Sequence, residues 1–134
     1  MKKLLILLIF LFTTPSFAGV QIDIDKRRQI MEVFIDNEPI YKWKVSTGKK
    51  GHSTPSGTFY VQSMEIMHYS RLYENAPMPY SIFFNGNIAI HGTNSISNLG
   101  RPVSHGCTRI SPSNAATLYN IVKKYRNDTI ITVN

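Results

Sequence analysis

The start of the chain combines alternating and continuous apolar segments. Residues 20–24 and 41–46 alternate apolar and polar side chains, and residues 30–35 form an apolar stretch between them. Asp36-Asn37-Glu38-Pro39 follows that stretch as a turn. An alternation of period two places successive side chains on opposite faces of a strand, so that one face can be buried. We therefore predict a meander of three antiparallel strands.

The middle of the chain contains shorter apolar runs separated by segments rich in glycine and proline. Asn85-Gly86-Asn87 lies between two of these runs and is a strong hairpin signal. In chain order we predict a loop at 47–57, a strand at 58–64, a long loop at 70–79, strands at 80–84 and 88–91, a loop at 92–103 and a closing strand at 129–133. The pattern is typical of a mostly β domain.

One segment near the C-terminus has the helical period. Ser111 is a good N-cap, and Pro112 suits the first helical position because no N–H is needed there. Apolar residues recur at i, i+3, i+4 and i+7, and basic residues near the C-terminal end complement the helix dipole. These are Ala115, Leu118, Tyr119 and Val122, and Lys123, Lys124 and Arg126. We predict one short helix packed on the strands.

The first 18 residues have the pattern of a signal peptide. Lys2 and Lys3 precede nine apolar residues, 4–12, and Ser16-Phe17-Ala18 is a small-x-small cleavage site. The alternative is a permanent membrane anchor, but nine residues are too few for a bilayer core, which needs about 20. We expect residues 1–18 to be a signal peptide and residues 19–134 to be one domain.

The chain is basic, with a net charge of +7 that falls to +5 without Lys2 and Lys3. This charge favours anionic wall polymer or lipid headgroups as partners, and it is equally compatible with ordinary solubility. We expect no nucleic-acid partner, because the chain has no block of Lys and Arg and is predicted to be exported.

Cys107 is the single cysteine of the chain. Exported proteins usually pair structural cysteines, so Cys107 is an intermolecular bridge, an inert buried thiol or a reactive one. A reactive thiol needs a base, and the candidates are His105 and His91, which lies 16 residues upstream. Spacing does not choose between them. Gly106 permits the sharp backbone that aims N–H groups at an oxyanion, and it also suits an ordinary turn.

Several motifs surround this cysteine. Residues 90–93 read Ile-His-Gly-Thr, and residues 99–109 contain Ser-His-Gly-Cys followed by Thr-Arg. Upstream, residues 46–49 read Ser-Thr-Gly-Lys and residues 54–59 read Thr-Pro-Ser-Gly-Thr-Phe. These motifs closely resemble the signature of the L,D-transpeptidases (the YkuD-type catalytic domain), and the likeness covers nearly all of the predicted mature chain. The resemblance implies a β-sandwich with one short packed helix.

The resemblance also implies roles for the site residues. Cys107 is the nucleophile, and His91 is its general base and acid. The backbone carbonyl of Gly92 orients the imidazole in place of a triad carboxylate. N–H groups around His105, Gly106 and Cys107 form the oxyanion hole. Ser104 supports the turn.

Two further residues are candidates for substrate binding. Arg109 holds the loop or a substrate carboxylate, and the alternative is a surface salt bridge. Tyr80, before the predicted hairpin, is the aromatic residue that we expect to meet substrate. His52 and His68 match no catalytic position, and we interpret them as loop or strand residues. The short spacing from His91 to Cys107 indicates a trimmed loop over the site.

The implied reaction is acyl transfer on peptidoglycan stem peptides in the periplasm or cell wall. Cys107 attacks the third residue's carbonyl in a tetrapeptide stem and expels D-alanine, and another stem's amine then resolves the thioester as a 3→3 cross-link. Water as acceptor gives an L,D-carboxypeptidase, and a protein lysine gives protein attachment. The resemblance further implies acylation by carbapenems. We expect a monomer without a metal or cofactor.

Two other functional classes remain open. A zinc peptidase would use His91, His105 and a third histidine, but the chain has no H-E-x-x-H spacing. A non-catalytic wall-binding module would not need Cys107. A chelator would abolish the first activity, and Cys107→Ala would leave the second unchanged.

Overall fold

The structure is a computed structural model that describes residues 1–11 and 17–134. Two parts of the predicted signal peptide, Phe12 at the end of the apolar run and Ser16 at the cleavage site, lie outside the described residues. No helix among the described residues is long and apolar enough to cross a membrane.

Two β-sheets and one helix account for the regular structure of the described residues. The strands are β1 (Val20–Asp25), β2 (Ile30–Ile35), β3 (Glu38–Lys44), β4 (Gly57–Tyr60), β5 (Ser63–Ser70), β6 (Ala76–Asn85), β7 (Ile88–Gly92), β8 (Thr108–Ile110) and β9 (Thr129–Val133), and the helix is α1 (Pro112–Lys124). The five-stranded sheet has the order β3-β2-β1-β9-β4, and the four-stranded sheet has the order β5-β6-β7-β8. The predicted mostly β fold with one helix is confirmed.

The five-stranded sheet begins with the predicted meander. β1 pairs antiparallel with β2, and β2 pairs antiparallel with β3. The turn between β2 and β3 is tighter than predicted, because Asp36 and Asn37 both adopt positive φ and β3 already starts at Glu38. Pro39 is tolerated there because β3 is an edge strand. The last strand, β9, inserts beside β1 in parallel.

The core lies between the sheets and the helix. Ile22 and Ile24 of β1, Phe84 of β6 and Leu118 of α1 belong to one buried cluster. The N-cap prediction for α1 is confirmed, because the Ser111 hydroxyl accepts the N–H of Asn114 at 3.2 Å. Helix α1 packs mainly on β6 and β7 and thereby fixes the back of the four-stranded sheet.

The predicted loop at 70–79 is wrong in its second half, because β6 begins at Ala76. Pro77 and Pro79 lie in this strand and pair with β5. β7 pairs with β6 only from Ile82 onward, so the part of β6 that contains the two prolines has no neighbouring strand on the β7 side. A proline, which has no N–H to donate, is tolerated where one side of a strand is unpaired. The two prolines led us to predict a loop where the chain forms a strand.

Candidate active site

Strands β7 and β8 bring His91 and Cys107 to one face of the sheet. The two strands pair in parallel, with His91 opposite Arg109, and Cys107 directly precedes β8. Residues two apart on a strand share a face, so Cys107 and Arg109 lie on the side of His91. The intervening Thr108 is buried on the other side. A separation of 16 residues in the chain thus becomes neighbouring strands in the fold.

His91 is a buried imidazole with one ring nitrogen already engaged. Nδ1 lies 2.8 Å from the backbone carbonyl oxygen of Gly92, which is the partner that the resemblance implies. Since a carbonyl only accepts, Nδ1 carries the proton and Nε2 keeps its lone pair in the neutral ring. Burial above all, with smaller contributions from the charges of Arg109 and His68, lowers the pKa of His91 to about 4, against the opposing effect of the Gly92 hydrogen bond. The ring is therefore neutral near pH 7.

Cys107 is a half-buried thiol that packs against a small apolar cluster of Met78, Phe83 and Ala89. Burial raises the pKa of Cys107, while a backbone hydrogen bond from Ala89 and the charge of Arg109 act in the opposite direction. Among the described residues, Sγ makes its hydrogen bond to the carbonyl oxygen of Asn87, at 3.8 Å. The resting site therefore pairs a neutral thiol with a neutral imidazole.

The turn before Cys107 is held by its own side chain and backbone. The Ser104 hydroxyl accepts the N–H of Gly106 at 3.1 Å and donates to the carbonyl of Cys107. Gly106 has φ of +131°, a conformation that favours glycine. Because the Gly106 N–H is occupied, it is not an open donor. The N–H groups of His105 and Cys107 have no acceptor in the part of the chain that the structure describes, so both are available to a ligand.

A second set of hydrogen bonds, which we call the Thr54 clamp, joins the two upstream motifs to the cysteine turn. We did not predict the roles of its individual residues. The Thr54 hydroxyl accepts the N–H of Gly48 at 3.0 Å and donates to the carbonyl of Gly106 at 2.7 Å. The backbone of Ser104 is bonded on both sides, to Thr47 and to Lys49. Gly48 must be glycine, because a Cβ there would collide with the backbone of His52. The threonine and glycine residues of the motifs at 46–49 and 54–59 were the sequence features from which this contact could have been suspected.

A cleft of about 820 Å³ opens over Cys107 and His91. Arg109 lines it from β8, and its backbone is locked by two hydrogen bonds with Ser46. None of the ion pairs among the described residues involves Arg109. The surface salt-bridge alternative thus has no partner in this structure, and the guanidinium is available to a ligand.

The β5–β6 hairpin forms the opposite wall of this cleft. Its turn carries Tyr73, whose ring stacks on His105 at 4.2 Å between centroids and an interplanar angle of 15°. His52 meets the same imidazole edge-on at 5.3 Å. His105 is exposed, and slight desolvation and the charges of Lys49, His52 and Arg109 lower its pKa. His105 thus connects the cysteine turn to the hairpin.

Two residues lie elsewhere than we expected. Tyr80 is not among the residues that line the cleft, because its ring packs edge-on against Tyr119 of α1, at 5.6 Å between centroids. His68 does line the cleft, although we expected only an ordinary loop or strand residue there. Its Nδ1 lies 2.6 Å from a carboxylate oxygen of Glu65.

The titratable side chains of the described residues do not form a metal-binding site. In residues 1–11 and 17–134, no set of three or more His, Cys, Asp or Glu side chains is placed to hold a metal ion.

A thiol and a buried imidazole facing one cleft, on a two-sheet β fold, define a β-sandwich domain with a cysteine–histidine site. The sequence model of the L,D-transpeptidase catalytic domain, YkuD, matches residues 19–132. The chain therefore belongs to the L,D-transpeptidase catalytic domain family.

Individual relatives agree with this assignment. The YkuD protein of Bacillus subtilis (strain 168) is 25% identical over 127 residues, which are 92% of this chain and 68% of that protein. An L,D-transpeptidase structure from Mycobacterium smegmatis superposes with a TM-score of 0.78 at 27% identity, over 87% of this chain and 59% of that one. One from Xylanimonas cellulosilytica gives 0.76 at 28% identity, over 91% and 63%. The chain thus spans about three fifths of these solved structures.

Proposed function

We propose that this protein is a cysteine acyltransferase that acts on peptidoglycan stem peptides. Cys107 attacks the carbonyl of the third residue in a tetrapeptide stem and releases D-alanine, leaving a thioester. The single observation that carries the proposal is that His91 and Cys107 face one cleft from paired strands, with Nδ1 of His91 bound to Gly92 and Nε2 left free.

The proton transfer follows from the resting state of the site. Because burial raises the pKa of Cys107 and lowers that of His91, the free site holds no thiolate–imidazolium pair. The thiol proton therefore passes to Nε2 of His91 as sulfur attacks, and the imidazolium then protonates the leaving amine. The Gly92 carbonyl stabilises the imidazolium as the triad carboxylate does in serine proteases.

The oxyanion of the tetrahedral intermediate needs preorganised donors. The open N–H of Cys107 supplies one, on a turn that Ser104 and Thr54 hold in place. Gly106 acts through its backbone conformation, because its own N–H is bonded to Ser104. The turn therefore contributes a rigid backbone, and the free N–H of His105 is a second candidate donor beside that of Cys107.

The substrate carboxylate is the natural ligand of Arg109. The guanidinium lines the cleft beside Cys107 and presents a planar fork of donors, which suits a carboxylate. This places the charged end of the stem next to the thiol and explains why a carboxy-terminal D-alanine is the leaving group.

The second half-reaction defines the product. We propose that the side-chain amine of another stem resolves the thioester as a 3→3 cross-link, so that the enzyme serves peptidoglycan biosynthesis, cell wall organisation and cell shape. Hydrolysis by water, as in an L,D-carboxypeptidase, and attachment to a protein lysine share the same thioester. The predicted signal peptide supports export to the periplasm or cell wall, and the basic charge suits an anionic wall polymer there.

The test is mass spectrometry of purified protein incubated with tetrapeptide stems. The intact protein should gain the mass of a tripeptide acyl group on Cys107, and the released products should include D-alanine and a cross-linked dimer. A chelator should leave this activity unchanged. Absence of any acyl adduct, with Cys107 still open to alkylation, would refute the proposal.

A further inference from the structure

The wall opposite Cys107 carries an imidazole–carboxylate pair that the mechanism above does not use. His68 and Glu65 both lie on β5, with Nδ1 and Oε2 2.6 Å apart. Since an ionised carboxylate only accepts, Nδ1 holds the proton and Nε2 keeps its lone pair in the neutral ring. Among the residues described here, Nε2 has no hydrogen-bond partner. The pair is thus a base with a free acceptor nitrogen.

An irregularity in the sheet builds this pair. Residues i and i+3 of a regular strand point to opposite faces, so Glu65 and His68 would not normally meet. The pairing of β5 with β6 is interrupted opposite Tyr80, which has φ of +53°. Past this point His68 lines the cleft, and its ring meets the edge of Phe83 at 5.0 Å between centroids. The same irregularity turns Tyr80 toward α1.

The charged side chains that line the cleft indicate which ligand suits Nε2 of His68. Arg71 and Arg109 line the cleft together with the imidazoles of His91 and His105, and no carboxylate is among the described lining residues. A protonated amine that enters is repelled by the two guanidinium groups. It needs a lone pair backed by negative charge, and Nε2 of His68 with the Glu65 carboxylate behind it supplies both.

Resting on the proposed function, we infer that His68, oriented by Glu65, receives the acceptor amine. The ammonium of the incoming side chain donates to Nε2, and one proton moves there, leaving a neutral amine and an imidazolium beside Glu65. The amine nitrogen bonds to the acyl carbon, the C–S bond breaks, and Cys107 leaves as the thiolate. The second proton of the nitrogen passes to His91. His68 serves the acceptor, and His91 serves the thiol.

Several ionisable groups surround this nitrogen. Glu65 on β5 holds Nδ1, Arg71 of the hairpin turn lines the cleft, and His91 on β7 lines it from the cysteine side. Arg109 on β8 adds a fixed positive charge. Removing the Glu65 charge should therefore leave the incoming ammonium less well held at Nε2 and slow aminolysis.

The experiment separates the two half-reactions. The acyl-enzyme is formed with a tetrapeptide stem, and three nucleophiles then compete for it: water, Nα-acetyl-lysine amide and hydroxylamine. Hydroxylamine is uncharged near pH 7 and needs no ammonium site. The variants are His68→Gln and Glu65→Gln, and the matched control is Glu38→Gln, an exposed carboxylate on the edge strand of the other sheet.

We expect His68→Gln to be acylated close to the wild-type rate while kcat/KM for Nα-acetyl-lysine amide falls about 10²-fold, at the low end of the range for a lost general base. Hydroxylamine should react as with wild type. Glu65→Gln should lose less of the aminolysis rate than His68→Gln, and Glu38→Gln should change nothing.

Equal loss of acylation and aminolysis in His68→Gln would show that His68 acts only through His91 or the fold, and would overturn the inference. Unchanged aminolysis by the lysine amide would overturn it as well. If wild-type protein forms no acyl-enzyme, the proposed function itself fails, and that result is distinct from both.

Discussion

The two walls of the cleft are built on different principles. On the cysteine wall, Thr54 and Ser104 are fully buried and hydrogen-bonded to the turn that carries Cys107. On the hairpin wall, large side chains face solvent, with Leu72 66% exposed and Tyr73 41% exposed. One wall is a dense hydrogen-bond network, and the other is an open apolar and aromatic surface.

This difference separates chemistry from recognition. A nucleophile, its base and an oxyanion donor must hold their geometry to about 0.5 Å, which requires a rigid, bonded backbone. A peptide substrate varies more, and an exposed hairpin can adapt to it. We therefore expect changes in the cysteine wall to reduce the rate of acylation. Changes in the hairpin wall should alter mainly the affinity for the stem that acylates Cys107, apart from the inferred role of His68 in aminolysis.

The largest effect should come from Cys107. Cys107→Ser keeps a side chain of similar shape against Met78, Phe83 and Ala89, so the protein should fold normally. It should form no acyl-enzyme, because a hydroxyl beside a neutral imidazole is a much weaker nucleophile than a thiol. Intact-protein mass after incubation with stem or carbapenem measures this. Wild-type turnover in Cys107→Ser would remove covalent thiol catalysis from the mechanism.

Loss of the base should be the next largest effect. We expect His91→Gln to slow acylation of Cys107 by about 10²- to 10⁴-fold. The matched control is His105→Gln, which removes an exposed imidazole from the turn and should cost less. The rate of Cys107 alkylation against pH distinguishes the two histidines. If only His105→Gln alters that profile, His105 is the base.

The same buried ring should make stability depend on pH. Burial lowers the pKa of His91 to about 4, from about 6.5 in an unfolded chain. The unfolded chain thus binds the proton first, so stability is full above about pH 6.5 and falls by about 3 kcal/mol as the pH drops toward 4. Urea unfolding at several pH values measures this. His91→Gln should remove that part of the slope, and an unchanged slope would contradict the assigned cause.

Thr54 tests whether the clamp itself matters. Thr54→Val preserves the shape but leaves the Gly48 N–H and the Gly106 carbonyl buried without a partner. We expect a loss of about 1–3 kcal/mol in the free energy of unfolding, and slower acylation because the cysteine turn loosens. Thr117→Val removes an exposed helix hydroxyl and is the control. Equal behaviour of the two variants in urea would mean that the clamp adds no stability.

The pattern of apolar and polar residues was sufficient to predict the elements whose contacts are close in the chain. The meander of β1 to β3, the turn at Gly86 and helix α1 with its Ser111 cap all follow from residues close together in the chain. The position of β9 beside β1 does not, because a parallel pairing between the two ends of the domain leaves no local signal.

The candidate site also has parts that follow from local sequence and parts that do not. That Cys107 and His91 share one cleft was expected, because their motifs resemble a known family signature. The Thr54 clamp spans 52 residues, and the His68–Glu65 pair depends on a strand irregularity at Tyr80, so neither is encoded in spacing. Tyr80 was expected near substrate, but its positive φ places its ring on α1 instead.

The smallest effect should come from the contact that joins the two walls. Tyr73 stacks on His105 at 4.2 Å, and such aromatic pairs contribute about 0.5–1.5 kcal/mol beyond the area they bury. Tyr73→Ala should therefore raise KM for a tetrapeptide stem by about 2- to 10-fold, as 1.4 kcal/mol corresponds to tenfold in affinity. The value of kcat should change little, because the clamp that holds Cys107 is untouched. Tyr73→Phe keeps the ring and should match wild type. If Tyr73→Ala lowers kcat for acylation and leaves KM unchanged, the hairpin wall contributes to the acylation chemistry, and the division between the two walls is wrong.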